Sequence, residues 1–521
     1  MPENHDLGGA LRRYWGYDSF RPKQERVIRS ILAGRDACVV MPTGGGKSLC
    51  YQLPAALLSQ KSAIVVSPLI ALMQDQVAQL VQMGIPAAVL NSSIPAARQR
   101  ECIEAACSGT YRLLYLSPER LARADTSEWL RRVPVSFFVI DEAHCISEWG
   151  HEFRPEYRLL SRLRSEFPGL AIAAFTASAT RRVRHDIIAQ LQLRDPQKEI
   201  ASFHRANLRY VARECPAAEQ AELLVKCIRR QSEGHVIVYS PTIARVSETA
   251  AHLAAHGIAC VQYHGRMEAD ERRKNQERWM SDEVRVLVGT TAFGLGINKA
   301  SVRAVIHLSL PQSIEQYYQE AGRAGRDGLS ADCLLLWRKK DLGLLVHFIN
   351  QIGDPAEKER AWDRYHQIRR FVESKSCRHL QICVHFGETP KWQTCGACDV
   401  CGCDVQWMRE PLDPEPASRG RTRRRSSAKA QDGPSAAGVN RALLEVMRNW
   451  RRERAKRDSV PAFIIMHDTS LEDLCRCRPR NLKELRQVSG FGERKTEVYG
   501  EEILGALRAY AELGGAPSAG H

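Results

Sequence analysis

The chain has 521 residues, with 75 Lys and Arg against 60 Asp and Glu, giving a net charge of +15 and a pI near 9.2. That length predicts several domains rather than one core, and the basic excess favours a polyanionic partner whose phosphates release counterions on binding. The amino terminus, MPENHDLGGA, has neither the basic start nor the apolar core of a secretory signal. No run approaches the roughly 20 apolar residues of a membrane span. The 17 cysteines then point to a reduced, cytosolic compartment.

From the amino terminus onward, the first segment that carries chemistry is RDACVVMPTGGGKSLCYQLP, residues 35–54. A short strand, ACVVM, is expected to run into Thr43, Gly44, Gly45, Gly46, Lys47 and Ser48, and then a helix. Glycines let the backbone wrap closely enough to aim N–H groups at phosphate oxygens, and the helix amino terminus adds positive potential. Lys47 would reach the β- and γ-phosphates and Ser48 would hold Mg²⁺. Met41 stands where the first glycine of the motif is usual.

About 95 residues further on, after the apolar run FFVI, come Asp141 and Glu142, where a parallel-sheet nucleotide domain presents strand carboxyl ends. Asp141 would hold Mg²⁺ through water, and Glu142 would orient and deprotonate the attacking water. The same segment continues as WGHEFRPEY, with Trp149, His151, Phe153, Arg154 and Tyr157. Aromatics beside cations suit base stacking and phosphate contact, and Gly150 and Pro155 suit a loop better than a core-packed turn.

Beyond residue 200 a second alternation of strand and helix begins, with strands expected at HVIVYS, IACVQYHG, VRVLVG and VRAVIHLSL. This half has no Gly-Lys-Ser of its own. It carries Gln319 and then AGRAGRDG, which places Arg323 and Arg326 three apart on an expected helix, both able to face a cleft. Planar guanidiniums there could neutralise charge developing on a transferring phosphoryl group, or form a solvated basic turn.

Cys377, Cys395, Cys398 and Cys401 combine one cysteine with two overlapping CxxC steps, a spacing that suits tetrahedral Zn²⁺. Cys383, Cys403, His379 and His385 are nearby alternatives. Residues 405–439 are rich in Pro, Ser, Gly and charge and are expected to be a flexible linker, in which Arg419–Arg425 touches nucleic acid or serves solubility. From Asn440 to Tyr510 the pattern is helical again. RALLEVMRNWRRERAKR carries a basic face of Arg451, Arg452, Arg454, Lys456 and Arg457, and SGFGERKTEVYG is a helix–turn–helix whose N–H groups could grip a phosphate.

Together, these motifs resemble the RecQ family of DNA helicases, within helicase superfamily two, over residues 7–404 and 439–511. The matching segments are YDSFRPKQ (17–24), MPTGGGKS, SPLIALMQDQV (67–77), DEAH with its aromatic loop, FTASAT (175–180), TTAFGLGINK (290–299) and QEAGRAGRDG (319–328). The resemblance implies an α/β fold of two RecA-like parallel-sheet lobes, a zinc-binding module and a helical HRDC bundle. Its expected boundaries are 1–200, 201–340, 341–404, a linker at 405–438, HRDC at 439–512 and a tail at 513–521. It implies that Gln24 hydrogen-bonds adenine with Tyr17 and Arg21 against the base, and that Thr176 and Thr180 link the nucleotide site to the DNA groove. Arg323 and Arg326 would complete the ATP site from the second lobe, with Arg326 as the finger. Trp149, His151, Phe153 and Arg154 would sense single strands. The implied cofactors are ATP, Mg²⁺ and Zn²⁺, and the implied direction of movement is 3′–5′. Expected partners are single-stranded and tailed or branched DNA and a single-strand-binding protein, with a monomer acting in the cytoplasm at the nucleoid and no membrane. The stretch between zinc module and HRDC is too short for the winged-helix domain of many relatives. That keeps open two rivals: a translocase or RNA remodeller that does not unwind DNA, and a DNA-binding or annealing protein.

Overall fold

The computed structural model describes residues 5–91, 94–150, 152–231, 233–293, 299–410, 440–458 and 460–512. In the first lobe, β1 (Ala37–Val40), β2 (Ser62–Val66), β3 (Ala87–Leu90), β4 (Leu113–Leu116), β5 (Val135–Ile140), β6 (Ala171–Thr176) and β7 (Gln197–Ile200) form one sheet. Their order is β3-β4-β2-β5-β6-β1-β7, and every pairing is parallel. β1, β2, β4 and β6 are buried along their whole lengths, because helices cover both faces. This is why they read as unbroken apolar runs without alternation.

The second lobe repeats the plan with β8 (Leu208–Glu214), β9 (His235–Tyr239), β10 (Cys260–Tyr263), β11 (Val286–Gly289), β12 (Val302–His307) and β13 (Ala331–Trp337). Here the order is β10-β11-β9-β12-β13-β8, again all parallel. Two parallel sheets in tandem place two sets of strand carboxyl ends and their loops toward a shared cleft.

The cysteine-bearing module packs on both lobes. Its helix Arg378–His385 sets His385 Nε2 2.7 Å from Glu315 of the second lobe, while Arg181 and Arg184 of the first lobe donate to Gly387 O and Phe386 O at 2.9 and 3.2 Å. Arg378 pairs with Asp399 at 2.9 Å, and the Asp399 carboxylate in turn accepts from Ala212 N in β8.

Two expectations change here. The segment from 405 is not linker at its start: Trp407 and Met408 are buried in the second lobe's core, with Arg230 over the Trp407 ring at 5.5 Å. Large apolar side chains that find a groove stay in it. Arg419–Arg425 and the tail lie outside the described residues. The carboxyl-terminal helices have their own core, built on Leu443, Met447, Leu474, Leu485, Val488 and Ile503. The bundle also docks on the motor. Gly490 N donates to Gly16 O at 3.3 Å and Arg13 pairs with Glu493 at 3.2 Å, so the SGFGERK turn faces the first lobe rather than open solvent. Arg452 Nε donates to Ser281 O at 2.9 Å, and Arg448 and Arg451 each lie 3.6 Å from Asp282 of the second lobe. Among the helix's expected basic face, only Lys456 and Arg457 are exposed.

Candidate nucleotide site and nucleic-acid interface

The phosphate loop is shaped by the strand that feeds it. Met41 N continues the β1–β6 ladder to Thr176 O at 3.1 Å, Gly45 N closes a turn on Pro42 O at 2.9 Å, and the helix Lys47–Leu57 begins at once. Gly44 and Gly46 have φ of 81° and 80°, a region that costs side-chain-bearing residues energy. Gly46 is needed for space as well: a Cβ there would lie 2.3 Å from Gln24 Nε2. Met41, standing where glycine is usual, is buried in the core, and its carbonyl accepts from Lys47 Nζ at 3.0 Å. A short wrap from Gly44 to Gly46 is left to face a phosphate.

Gln24 is engaged with this loop. Its Nε2 donates to Gly46 O at 3.1 Å and its Oε1 accepts from Arg21 N at 2.8 Å, while Arg21 also donates to Gly44 O. Tyr17 is exposed. Residues 21 and 24 are therefore brought to the phosphate loop by the structure, with the Gln24 amide satisfied there.

The acid pair stands at the carboxyl end of β5. Asp141 N donates to Val66 O at 2.8 Å and Ser67 Oγ donates to Asp141 Oδ2 at 3.3 Å. Burial and the neighbouring Glu142 charge push the Asp141 carboxyl up to about 7, against the pull of Lys47. Glu142 sits at φ 45°, which swings it away from the strand direction. Burial opposes its charge, but contact with His144 at 3.2 Å and the nearby Lys47 hold its pKa below the ordinary value. Lys47 is pushed down by burial and held up by both carboxylates, which places the three together.

His144 is the hub behind them. Its Nδ1 lies 2.9 Å from Thr176 Oγ1, and its Nε2 lies 3.6 Å from Glu152. Burial disfavours its charge, yet Cys145, Glu142 and Glu152 outweigh that and keep it protonated well above the usual histidine range. Thr176 Oγ1 donates to Ser178 O at 3.1 Å, and Ser178 Oγ accepts from Gln319 Nε2 of the second lobe at 3.0 Å. Polar contacts thus run from Glu142 across the cleft to Gln319. Thr180 instead caps the helix Arg181–Gln190 through Val183 N.

The arginines arrive differently from expectation. The helix Ile314–Ala321 ends before them, and Arg323 and Arg326 lie in a turn broken by Gly325 at φ 57°. Two glycines in AGRAGRDG end the helix, and Asn207 fixes the turn through Gly325 O at 2.8 Å. Arg326 still reaches the phosphate loop: a Cβ on Gly44 would lie 3.5 Å from its Cγ. Burial, then the charges of Arg323 and Arg205, push its pKa down to about 9. Three arginines gathered beside the phosphate loop are suited to a polyphosphate.

The aromatic loop divides in two. Tyr157, expected as part of a stacking cluster, is fully buried, and its hydroxyl donates to Asp141 O at 3.0 Å. It is a strut between loop and acid pair. Trp149 is exposed, with the guanidiniums of Arg182 and Arg360 2.9 and 5.6 Å from its ring centre. Phe153 and Arg154 are half-buried, with Arg158 over the Phe153 ring, and His151 lies outside the described residues.

Cys377, Cys395, Cys398 and Cys401 offer sulfurs that all lie within 4.8 Å of one another. A tetrahedral Zn²⁺ with 2.3 Å bonds separates its sulfurs by about 3.8 Å, so the cluster fits. His379 Nδ1 is 3.1 Å from Cys395 Sγ, while Cys383 and Cys403 lie outside the group. No described helix is long and apolar enough to cross a membrane.

A structure with this layout is that of a yeast (S. cerevisiae) Dbp5 variant bound to RNA and ADP BeF3. It is 17% identical with a TM-score of 0.52, covering 71% of this chain and 100% of that one. That likeness defines the class by fold alone, two parallel-sheet lobes in tandem. Family models narrow it: DEAD/DEAH box helicase at 21–187, helicase conserved C-terminal domain at 219–328, RecQ zinc-binding at 339–402 and HRDC domain at 440–507. The chain is 32% identical to the ATP-dependent DNA helicase RecQ of Haemophilus influenzae, over 97% of this chain and 96% of that protein. It is 42% identical to the Pasteurella multocida protein of the same name, over 75% of this chain but only 61% of the relative's length. The chain belongs to the RecQ family and is an ATP-dependent DNA helicase of that type.

Proposed function

We propose that this chain hydrolyses ATP to move 3′–5′ along single-stranded DNA and separate duplexes during recombination and repair. The observation that carries this reading is the approach of Arg326 from the second lobe to Gly44 of the phosphate loop. A catalytic group supplied by one lobe to phosphates held by the other makes hydrolysis depend on the distance between lobes, and so makes lobe movement depend on hydrolysis.

Position supports the following roles. Thr43, Gly44, Gly45, Gly46 and Lys47 cradle the phosphates, and Gln24 releases Gly46 O to read adenine against Tyr17 and Arg21. Ser48 and Asp141 would hold Mg²⁺, which supplies charge neutralisation at the β- and γ-oxygens; a cation beside Asp141 would keep ionised a carboxyl that burial otherwise pushes up to about 7. Glu142, held ionised by His144, takes the proton of the attacking water. Gln319, Arg323 and Arg326 close the site, the arginines neutralising charge on the transferring phosphoryl group. Cys377, Cys395, Cys398 and Cys401 would bind Zn²⁺, which supplies a closed structural crosslink. Trp149, Phe153 and Arg154, with His151, stack on and hold the strand. Single-stranded and tailed or branched DNA are the substrates, the working unit is a monomer at the nucleoid in the cytoplasm, and a single-strand-binding protein is a partner.

The test is unwinding of a 3′-tailed DNA duplex and of an RNA duplex by wild type and Lys47→Ala. Strand separation on DNA that needs ATP and is lost in Lys47→Ala is the expected result. ATP hydrolysis without separation of DNA strands would replace this reading with that of a translocase or RNA remodeller.

A further inference from the structure

Arg205 lies in the connector between β7 and β8, outside every motif read from the sequence. Its guanidinium donates to three carbonyls of the arginine turn: Gly325 O at 2.9 Å, Ala324 O at 3.2 Å and Gly322 O at 3.5 Å. Asn207 accepts from it at 3.4 Å and itself donates to Gly325 O and Leu329 O. No carboxylate partners Arg205 among the described residues. Instead it adds a third cation beside Arg323 and Arg326, an arrangement that stability alone disfavours. What the guanidinium supplies is geometry. A planar fork can hold several carbonyls of the turn at once, and a neutral side chain cannot match it.

The other end of the residue is held by the cysteine module. The Arg205 carbonyl accepts from His379 Nε2 at 3.1 Å, and the opposite ring nitrogen of His379 faces Cys395 Sγ at 3.1 Å. On either side, Phe203 stacks on Phe386 at 4.3 Å between ring centres and His204 packs on Trp392 at 4.8 Å. The connector is therefore clamped between the cysteine cluster and the turn that carries the arginines.

We propose that Arg205 is a positioning residue for ATP hydrolysis: anchored by His379 of the cysteine module, it fixes the turn that presents Arg323 and Arg326 to the nucleotide. The module would then set the geometry of the hydrolytic site as well as the stability of its own fold. This rests on the ATP-site reading given above.

The experiment compares full-length wild type with Arg205→Gln, Arg205→Lys, His379→Ala and the double variant Arg205→Gln/His379→Ala. DNA-stimulated kcat and KM for ATP, bound zinc per chain and Tm are measured for each. A displaced turn removes an interaction made mainly in the transition state, so Arg205→Gln should lower kcat at least tenfold with KM changed less than about threefold. Arg205→Lys should recover part of that loss, because an ammonium can satisfy one or two of the carbonyls. His379→Ala should lower kcat with zinc content near wild type, and the double variant should lose no more than the worse single. Wild-type kcat in Arg205→Gln, or a kcat loss that follows zinc loss or Tm across the series, overturns the proposal. Lys47→Ala is run alongside. If it retains hydrolysis, the ATP-site reading fails; if it is inactive while Arg205→Gln is not, only the role given to Arg205 falls.

Discussion

Single side chains set the chemistry of this molecule through what surrounds them. Asp141 and Glu142 are adjacent carboxylates that titrate apart, one pushed up by burial and its neighbour, the other held down by His144 and Lys47. An acid pair tuned in opposite directions can divide its labour between a metal and a proton. Trp149, in the same segment, is the residue proposed to stack on a base. Its ring is exposed and faced by Arg182 and Arg360, so a base that stacks there must displace a guanidinium that can turn to a phosphate. Stacking contributes about 1–3 kcal/mol per base. Trp149→Ala should therefore keep basal ATPase near wild type and raise the single-stranded DNA needed for half-maximal stimulation by about 5- to 150-fold. An ATPase titration with oligonucleotide checks this, and unchanged stimulation would remove Trp149 from the sensor. Lys47, Asp141 and the cysteines could be picked out from sequence because each sits at fixed spacing within a local motif. Tyr157 and Arg205 could not, because each acts through a contact whose partner is set only by folding: the carbonyl of Asp141 in one case, a turn 117 to 120 residues away in the other.

Among the secondary-structure elements, the carboxyl-terminal bundle shows how the same residues support two readings. A helix rich in arginine suggests a nucleic-acid face, yet Arg451 is buried between Asp468 at 2.8 Å and Asp282 at 3.6 Å, and Arg448 also faces Asp282. Asp282 further receives Lys299 at 2.6 Å and His235 at 3.2 Å, so one carboxylate joins the bundle to β9 and to the end of the TTAFGLGINK segment. Burial works against its charge, but these partners hold its pKa well below the carboxylate range. Neutralising it would leave buried cations uncompensated, at a cost of about 3–5 kcal/mol. Asp282→Asn keeps a side chain that tolerates the residue's φ of 66° while removing the charge. It should shift urea unfolding by that amount and increase the radius of gyration in solution scattering as the bundle leaves the second lobe; an unchanged profile would show that the docking does not depend on this carboxylate. The amphipathic pattern identified the helices and their core, whereas the docking uses partners far away in sequence, Ser281 and Asp282 on one lobe and Arg13 and Gly16 on the other, which no local pattern marks.

Across the protein as a unit, two similar sheets are joined by a few polar contacts at the cleft and by flanking modules that touch both. Gln319 to Ser178 and Arg326 beside Gly44 cross between lobes at the cleft. The cysteine module and the carboxyl-terminal bundle hold the lobes from other sides. Hydrolysis that opens the cleft must work against these attachments, which makes the arginine turn the sensitive point. Arg326→Ala should lower kcat about 10³-fold or more while ATP affinity changes little, since an arginine finger acts on transition-state charge; nucleotide binding by fluorescence and single-turnover hydrolysis separate the two, and equal loss in both would assign Arg326 to ground-state binding. The two parallel-sheet lobes, the phosphate loop, the acid pair, the cysteine cluster and the helical end are all legible in the residues. Each rests on short local patterns and their order along the chain, where strand, turn and ligand geometry act locally. Folding in three dimensions had to reveal that the arginines sit on a glycine-broken turn and that Trp407 and Met408 belong to a core. It also had to reveal that the basic helix faces a lobe and that Arg205 links cysteines to arginines. Those outcomes depend on which distant surfaces meet, and burial and charge pairing between them are settled only when the whole chain is packed.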